Sequence, residues 1–348
     1  MRTPIFGLMA GLLLSLSTAR SDAKTRAREL GDVSWSRNYE TARKRARAEN
    51  KPLLILFDEV PGCQTCVRYG QAVLNHPLVV EAAETLFVPV AIYNNLGGSD
   101  RTVLERYKEP TWNNPVVRIV SAEEKGLASR IAGDYSIGGL VHGMVAALET
   151  SGHEVPEYLR ILAAEHLPLD NPTARAAFAM PCFWTGEVCL GDLEGIVSTR
   201  TGFLEGHEVV EVEYDPRRLS YASLVRHGRE KGCISQAFAR TTEELDAARS
   251  EVADHAVKST KRVRGSSKDD KYQLRHSTWR FVPMTELQAT RANHLIGRGR
   301  DPEAVFSPQQ IALHRMIVQN PKEGWRDYVA RQEPLREAFA TATALAKR

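Results

Sequence analysis

The sequence carries little net charge and contains no long hydrophobic run. Its 348 residues have a formal net charge of +3, which is too small to indicate a nucleic acid or a membrane surface as a partner. The longest apolar stretch, Ile5 to Leu16, has about a dozen residues, whereas a membrane-spanning helix needs about 20. The sequence shows no internal repeat and no low-complexity tract. With 43% hydrophobic and 26% charged residues, its composition is typical of an ordinary soluble protein.

The first 23 residues have the features of a secretory signal peptide. Arg2 supplies a positive charge ahead of the apolar stretch, and Ser21-Asp22-Ala23 fits a small-x-Ala cleavage site, with Ser17-Thr18-Ala19 as an alternative. No cysteine lies in this region, so a lipid anchor is not expected. We therefore expect a periplasmic or secreted protein without a membrane anchor, in an oxidising compartment where cysteines have redox roles. The remaining residues, about 325, are enough for two domains.

Only five cysteines are present, and two of them form the motif Cys63-Gln64-Thr65-Cys66. A short apolar run from Leu53 to Phe57 precedes them and predicts a strand buried on both faces. A strand, a short loop and a Cys-x-x-Cys that opens a helix is the arrangement of a thioredoxin-like redox site. Helical spacing brings the two sulfurs within disulfide reach, and the helix N-terminus favours the thiolate form of the first cysteine. A zinc site needs a second Cys/His pair at ligand spacing, and none is evident, so we predict no metal.

The residues that follow also resemble a thioredoxin fold. Residues 87–93 and 116–120 predict two further strands, and the second is entered through Pro115. In thioredoxin-like proteins a cis proline at this point faces the Cys-x-x-Cys, so the resemblance implies a cis Pro115; an ordinary trans proline is the alternative. The dipeptide Gln64-Thr65 replaces the common Gly-Pro, which leaves open whether the site is a reductant or an oxidant. We predict a thioredoxin-like α/β domain over residues 30–150 and a linker over 151–173.

A second group of motifs surrounds a later cysteine. Cys182 is followed by two aromatic residues, and Glu187 lies five residues after it. Gly202-Phe203 comes next, and Glu208 lies six residues ahead of the tyrosine in Tyr214-Asp215-Pro216. In residue type and spacing, these elements resemble the signature of the peptide methionine sulfoxide reductase A family.

This resemblance implies an α+β, ferredoxin-like second domain over residues 174–348 and assigns roles to its residues. A thiolate at Cys182 attacks the sulfoxide sulfur, and a helix that begins near Cys182 favours the thiolate. Glu208 protonates the departing oxygen, a role that burial of its carboxyl would support. Phe183 and Trp184 form an apolar wall for the methyl group of the substrate. The alternatives are that Cys182 is a small buried hydrophobe and that Glu208 lies on a solvated face.

The sequence also departs from the pattern of that family. Pro181 replaces the glycine before the cysteine, and Phe203 replaces a tyrosine whose hydroxyl is expected to hold the sulfoxide oxygen. The downstream Gly-Thr-Gln-Tyr-Arg-Ser segment is not found intact, and Tyr272 is its nearest substitute. Each lost hydroxyl lowers the rate by about 10²–10³-fold if it acts as an oxyanion-type donor. We assign Phe203 and Tyr272 to the predicted substrate pocket.

Three cysteines are candidates for the step that regenerates Cys182, which reduction of a sulfoxide leaves as a sulfenic acid. Cys189 lies seven residues further on, about 10.5 Å along an intact helix, which exceeds the Cα limit of roughly 7 Å for a disulfide. We therefore predict that Cys189 is a packed structural residue. Cys233, which follows a glycine at a predicted helix end, is our candidate for the resolving cysteine. Direct attack by Cys63 is the alternative.

Residues 258–268 form the one basic cluster of the sequence. The cluster is bordered by Asp269 and Asp270 and contains no aromatic residue. This composition favours a flexible, solvated loop over a site for a polyanion.

Together these patterns predict an exported peptide-methionine (S)-S-oxide reductase whose fused thioredoxin-like dithiol is the reductant. The expected partners are oxidised proteins or peptides that contain methionine sulfoxide, and an upstream thiol reductant; no cofactor is expected. One alternative is a thiol–disulfide oxidoreductase whose second domain is catalytically degenerate and only binds clients. Another is a scaffold or chaperone-like protein with inert, buried cysteines.

Overall fold

The computed structural model describes residues 27–168, 171–321, 324–329 and 333–346. The predicted signal peptide, residues 1–23, lies outside the described residues, as do positions 169 and 170 of the predicted linker. Within the described ranges, no helix is both long enough and apolar enough to span a membrane. The chain folds around two separate β-sheets.

The first sheet contains β1 (Leu53–Asp58), β2 (Val88–Tyr93) and β3 (Val116–Val120), with β1 in the centre, parallel to β2 and antiparallel to β3. Every residue of β1 is buried, and alternate residues enter two apolar clusters, one on each face of the sheet. This is the arrangement predicted from its unbroken apolar sequence. The helices of this part of the chain are α1 (Tyr39–Glu49), α2 (Gln64–Ala72), α3 (Pro77–Thr85), α4 (Ser99–Tyr107), α5 (Ile137–Thr150) and α6 (Glu157–Glu165).

The second sheet is built on a β-α-β-β-α-β unit. Its elements are β4 (Ala174–Ala179), α7 (Phe183–Leu190), β5 (Ile196–Leu204), β6 (His207–Tyr214), α8 (Tyr221–Glu230) and β7 (Gln236–Ala239). The four strands are antiparallel in the order β7-β4-β6-β5, which is the order of a ferredoxin-like sheet. The prediction of a ferredoxin-like second domain is therefore confirmed.

Two short edge strands extend this second sheet. After α9 (Thr242–Val252), β8 (Ala256–Lys258) pairs in parallel with β7, and β9 (Arg264–Gly265) pairs antiparallel with β5. The basic segment 258–268 is thus partly strand, and the prediction of a flexible loop over its whole length is wrong. The physical reason is backbone pairing with the edge of β5, which charge composition does not indicate.

The C-terminal helices share an apolar core with α6. They are α10 (Tyr272–Arg275), α11 (Glu286–Gly297), α12 (Pro308–Gln319) and α13 (Leu335–Ala346). Ile161 of α6 belongs to their cluster, while two leucines of the same helix belong to the core of the first domain. Glu165 at the end of α6 accepts hydrogen bonds from the backbone N–H groups of Glu286 and Leu287, at 3.2 and 3.1 Å. The predicted linker therefore contains a helix that packs against both halves of the chain.

Candidate active sites

The Cys63–Cys66 pair lies at the start of α2, shortly after the buried strand β1. Cys63 is the N-cap residue of α2, and its sulfur accepts a hydrogen bond from the backbone N–H of Cys66 at 3.2 Å. Both thiols are free; Cys63 is half-buried and Cys66 is buried. Cys63 is therefore the thiol that a partner can reach, and Cys66 is the enclosed one. The predicted position of the motif at a helix N-terminus is confirmed.

Asp58 is a fully buried carboxyl beside this pair, at the end of β1. Burial raises its pKa to about 7. The pKa of the Cys66 thiol is raised as well, first by burial and then by the neighbouring Asp58 carboxyl. A thiol in such surroundings needs a base to take its proton, and Asp58 is placed to do so. Asp58 is not among the residues predicted from the sequence, although an acidic residue that ends an apolar strand just ahead of two cysteines is a usable signal.

The loop that precedes β3 lies against the same site. The Asn114–Pro115 peptide bond is cis, as the thioredoxin-like resemblance implies. The Cys66 thiol donates a hydrogen bond to the side-chain oxygen of Asn114 at 3.3 Å, which joins the loop to α2. Trp112 in this loop is 79% exposed. The site therefore presents a reachable thiol with apolar surface on the neighbouring loop.

Cys182 occupies the equivalent position on α7 in the second domain. It is the N-cap residue of α7, is half-buried and carries a free thiol. The Glu208 carboxylate accepts a hydrogen bond from the backbone N–H of Phe183 at 3.1 Å. Strand pairing fixes this contact, because the N–H of Met180 donates to the carbonyl oxygen of Glu208 at 3.0 Å. The structure thus brings the predicted nucleophile and the predicted proton donor to one helix terminus, with Glu208 half-buried rather than enclosed.

Aromatic rings form a continuous wall beside Cys182. Phe183 contacts Trp184 and Phe203, with ring centroids 5.9 and 5.7 Å apart. Tyr272 stacks on Trp184 with a centroid distance of 4.1 Å. The four residues predicted to line the substrate pocket therefore lie together, including the tyrosine from outside the motif. Their role in binding a substrate stays a prediction.

A buried ion pair lies next to Tyr272, the last residue of this aromatic wall. Glu187 and Lys271 are both enclosed, and the Lys271 Nζ atom lies 2.9 Å from Glu187 Oε1. Glu187 also accepts hydrogen bonds from the backbone N–H of Lys271 at 2.7 Å and from the Thr199 hydroxyl at 2.9 Å. Burial by itself lowers the pKa of Lys271, but the neighbouring carboxylates outweigh it and hold that pKa above its usual value. Because Tyr272 directly follows Lys271, the pair fixes the tyrosine against Trp184.

Replacing Lys271 with methionine should lower the free energy of unfolding by about 3–5 kcal/mol, because Glu187 would keep a buried charge without its cation. Urea unfolding of the parent and the variant measures the difference. The double variant Glu187→Gln/Lys271→Met is the control, and it should recover part of the loss because no buried charge remains. A Lys271→Met variant as stable as the parent would show that the ion pair does not hold this segment.

Cys189 and Cys233 form a disulfide, with a Cα–Cα distance of 6.5 Å. Cys189 is buried near the end of α7, in agreement with the prediction of a packed structural residue. Cys233 is our candidate for resolving Cys182, but here its sulfur is bonded to Cys189 and carries no free thiol. The spacing of the cysteines in the sequence does not indicate this pairing because it arises from tertiary packing: His227 of α8 contacts the carbonyl oxygen of Cys189 at 3.2 Å. The resolving role of Cys233 stays a prediction for a state in which this disulfide is reduced.

Without a reductant, Cys189→Ser is expected to lower the free energy of unfolding by about 2–4 kcal/mol, because the disulfide closes a long loop in the unfolded chain. Urea unfolding with and without a reductant measures the effect. In reductant, the stability of the parent should fall towards that of the variant. A deficit of the same size in both conditions would mean that lost packing at Cys189, rather than the disulfide, is responsible.

The polar and aromatic contacts of the two thiol sites do not overlap. Within the described part of the chain, no hydrogen bond, ion pair or ring contact links the residues around Cys63 and Cys66 to those around Cys182.

Comparison with known proteins finds two kinds of similarity. A family model described as thioredoxin-like matches residues 34–122. Peptide methionine sulfoxide reductase MsrA 1 of Nostoc sp. is 34% identical over 73 residues, which are 16% of this chain and 45% of that protein. Peptide methionine sulfoxide reductase A5 of Arabidopsis thaliana is 35% identical over 69 residues, 16% of this chain and 27% of that protein. The chain thus spans less than half the length of these relatives.

Among solved structures, a DsbH oxidoreductase aligns with a TM-score of 0.30 and 18% sequence identity, over 36% of this chain and 91% of that chain. The family match confirms the thioredoxin-like nature of the first domain. The matches to the sulfoxide reductases support a redox function for the chain.

Proposed function

We propose that this chain, in which a thioredoxin-like domain is joined to a region similar to peptide methionine sulfoxide reductase A, reduces methionine S-sulfoxide in peptides and proteins. One observation carries the proposal: Cys182 lies at the N-terminus of α7, with the Glu208 carboxylate on the next backbone N–H at 3.1 Å. The aromatic wall offers the apolar surface that the methyl group of the substrate requires.

The proposed reaction reduces the sulfur of the substrate and oxidises Cys182. The Cys182 thiolate attacks the sulfoxide sulfur and bonds to it, and Glu208 donates a proton to the oxygen, which takes a second proton from solvent and leaves as water as the sulfur–oxygen bond breaks. Water then attacks the Cys182 sulfur, which breaks the bond to the substrate sulfur. The net result is transfer of one oxygen atom: methionine is released and Cys182 becomes a sulfenic acid. Unpaired N–H groups and the positive end of the helix dipole stabilise the attacking thiolate.

The fused dithiol then returns Cys182 to its thiol. Cys63 attacks the sulfenic acid, which releases water and forms a mixed disulfide with Cys182. Cys66 attacks the Cys63 sulfur, which leaves a Cys63–Cys66 disulfide and a reduced Cys182. Asp58 takes the proton of Cys66 in that step. Because both sites are in one chain, their effective concentration reaches about the mM range if they can meet.

An exported location completes the proposal. The signal-like features of residues 1–23 support it, and the disulfide between Cys189 and Cys233 is suited to an oxidising compartment. There the substrates are oxidised proteins of the cell envelope, and an upstream thiol reductant has to supply electrons to the Cys63–Cys66 pair.

Product stoichiometry without an external reductant tests the recycling step. The pre-reduced parent should convert about two equivalents of a methionine sulfoxide peptide, one that consumes the dithiol and one that leaves Cys182 oxidised. The variant Cys63→Ser/Cys66→Ser should stop after about one equivalent, because the dithiol that returns Cys182 to its thiol is absent. Equal yields from parent and variant would contradict recycling by this dithiol. Cys189→Ser/Cys233→Ser is the control, and its yield should equal that of the parent if the second pair is structural.

The inactive-domain alternative rests on two departures from the family pattern. Phe203 lacks the hydroxyl expected to hold the sulfoxide oxygen, and the downstream tyrosine segment is not intact. In that case the parent forms no methionine, yet the Cys63–Cys66 pair still exchanges disulfides with added thiols. The same stoichiometric experiment therefore separates the two functions.

A further inference from the structure

Three side chains form a row across the edge of the second sheet, beside Cys182. Phe203 on β5 pairs directly with Glu208 on β6 on one side and with Arg264 on β9 on the other. Directly opposed residues of antiparallel strands point to the same face of a sheet. This is the face that meets α7, since Phe203 contacts Phe183 and the Glu208 carboxylate binds the Phe183 N–H. The predicted proton donor, an aromatic ring and a guanidinium therefore stand side by side.

The guanidinium of Arg264 is held in place but not neutralised. Its central carbon lies 4.9 Å from the centroid of the Phe203 ring, a cation–π distance that fixes the long side chain. In the part of the chain that the structure describes, no carboxylate lies within ion-pairing distance of it. Lys261 of the same basic segment differs, because it pairs with Glu205 at 3.4 Å. Arg264 is thus an exposed, fixed and unpaired positive charge at the rim of the predicted pocket.

We propose that Arg264 is a specificity residue that binds a carboxylate of the substrate next to the sulfoxide; this rests on the proposed function. A guanidinium stays charged at every relevant pH, and its planar fork of N–H donors matches the two oxygens of a carboxylate. Stacking on Phe203 orients the fork before the substrate arrives. The carboxylate is either the side chain of a neighbouring Asp or Glu, or the α-carboxylate of a terminal methionine sulfoxide.

The spacing within the row favours a carboxylate over the sulfoxide oxygen as the partner of Arg264. Neighbouring strands lie about 4.8 Å apart, so the backbones of Glu208 and Arg264 are separated by about 10 Å across Phe203. The sulfoxide oxygen has to lie at Glu208, which protonates it. A methionine sulfoxide side chain laid across Phe203 then places the backbone of the substrate, and the charges next to it, on the Arg264 side.

Steady-state kinetics with three matched peptides tests the proposal. One peptide carries methionine sulfoxide beside Asp, one beside Asn, and one has it at a free C-terminus. Arg264→Ala should raise KM about 10- to 100-fold for the peptides with a nearby carboxylate, with kcat retained. Arg264→Lys should recover part of the affinity because it restores the charge without the fork. If only one of the two carboxylate peptides responds, that peptide identifies the source of the carboxylate.

Arg262→Ala is the matched control, since Arg262 is exposed, lies two residues earlier and is outside the strand pairing. It should change KM for all three peptides by less than about twofold. Two results would overturn the proposal. One is an equal loss in Arg262→Ala and Arg264→Ala, which means a general charge effect. The other is an equal fall in kcat for the Asp and Asn peptides in Arg264→Ala, which means a role at the sulfoxide itself.

Peptide binding to a protein without the Cys182 thiol tests the role of Arg264 separately from the reaction. In the Cys182→Ser background, the Kd of the Asp peptide should be about 10-fold lower than that of the Asn peptide, and Arg264→Ala should remove this difference. If the parent reduces no sulfoxide but the Kd difference is present, the proposed function fails and the carboxylate site stands. If the Asp and Asn peptides bind with equal Kd, the inference about Arg264 is wrong, whether or not the parent reduces the sulfoxide.

Discussion

Cys182→Ser should lower the rate of methionine sulfoxide reduction by at least about 10⁴-fold, because a serine hydroxyl does not form the nucleophile at neutral pH. Single-turnover formation of methionine by the pre-reduced protein measures this rate. The change is nearly isosteric and Cys182 is the cap of α7, so circular dichroism and unfolding curves should match the parent. Substantial formation of methionine by the variant would show that Cys182 is not the nucleophile.

Glu208→Gln should slow the same reaction by about 10²–10⁴-fold, because an amide cannot donate the proton that the departing oxygen needs. Glu211→Gln is the matched control. Glu211 is on the same strand but pairs with Arg240 at 3.3 Å, on the opposite face of the sheet from Glu208. Equal effects of the two changes would mean that general electrostatics, rather than proton donation, is responsible.

Replacing Asp58 should have a large, pH-dependent effect on the stability of the protein. Burial raises its pKa from 3.8 to about 7, so the folded state holds this proton more tightly than the unfolded chain does. The resulting contribution to stability is complete below pH 3.8 and is lost as the pH rises through 7. Asp58→Asn carries no charge to bury, so above pH 7 it should be more stable than the parent by up to about 4 kcal/mol. Urea unfolding at pH 4 and pH 8 measures the difference, which should be small at the lower pH.

Asp100→Asn is the control for this prediction. Asp100 pairs with Arg37 at 2.6 Å, so its removal should leave stability unchanged or lower it. Asp58→Asn should also slow exchange of the Cys63–Cys66 disulfide above pH 7, because no carboxylate remains to take the proton of Cys66. A variant that is less stable than the parent at pH 8 and exchanges at the parental rate would contradict both roles of Asp58.

Local signals in the sequence were sufficient for most of the fold. The unbroken apolar run in β1 predicted a strand buried on both faces, and the structure places it in the centre of its sheet. The Cys-x-x-Cys motif predicted a helix that begins beside Cys63, and the structure places Cys63 at the N-terminus of α2. Strand β9 was missed because a two-residue edge strand depends on a neighbour far away in sequence.

The candidate sites also contain some features that the sequence indicated and others that it did not. The position of Glu208 at the N-terminus of α7 and the cis Pro115 were implied by the two family resemblances, and both are present in the structure. The Cys189–Cys233 disulfide did not follow, because it depends on how α8 packs beside α7. The pairs Glu187–Lys271 and Phe203–Arg264 join residues 84 and 61 positions apart (271 − 187 and 264 − 203). No spacing rule within a single element reaches that far.

The central claim is that Cys182 takes the oxygen of methionine sulfoxide, and trapping that oxygen tests it most directly. The reduced Cys63→Ser/Cys66→Ser protein, treated with one equivalent of a sulfoxide peptide and then with dimedone, should yield methionine peptide and a dimedone adduct. Mass spectrometry of the digested protein should locate the adduct on Cys182. Failure to form methionine, or an adduct on another cysteine with Cys182 unlabelled, would contradict the account.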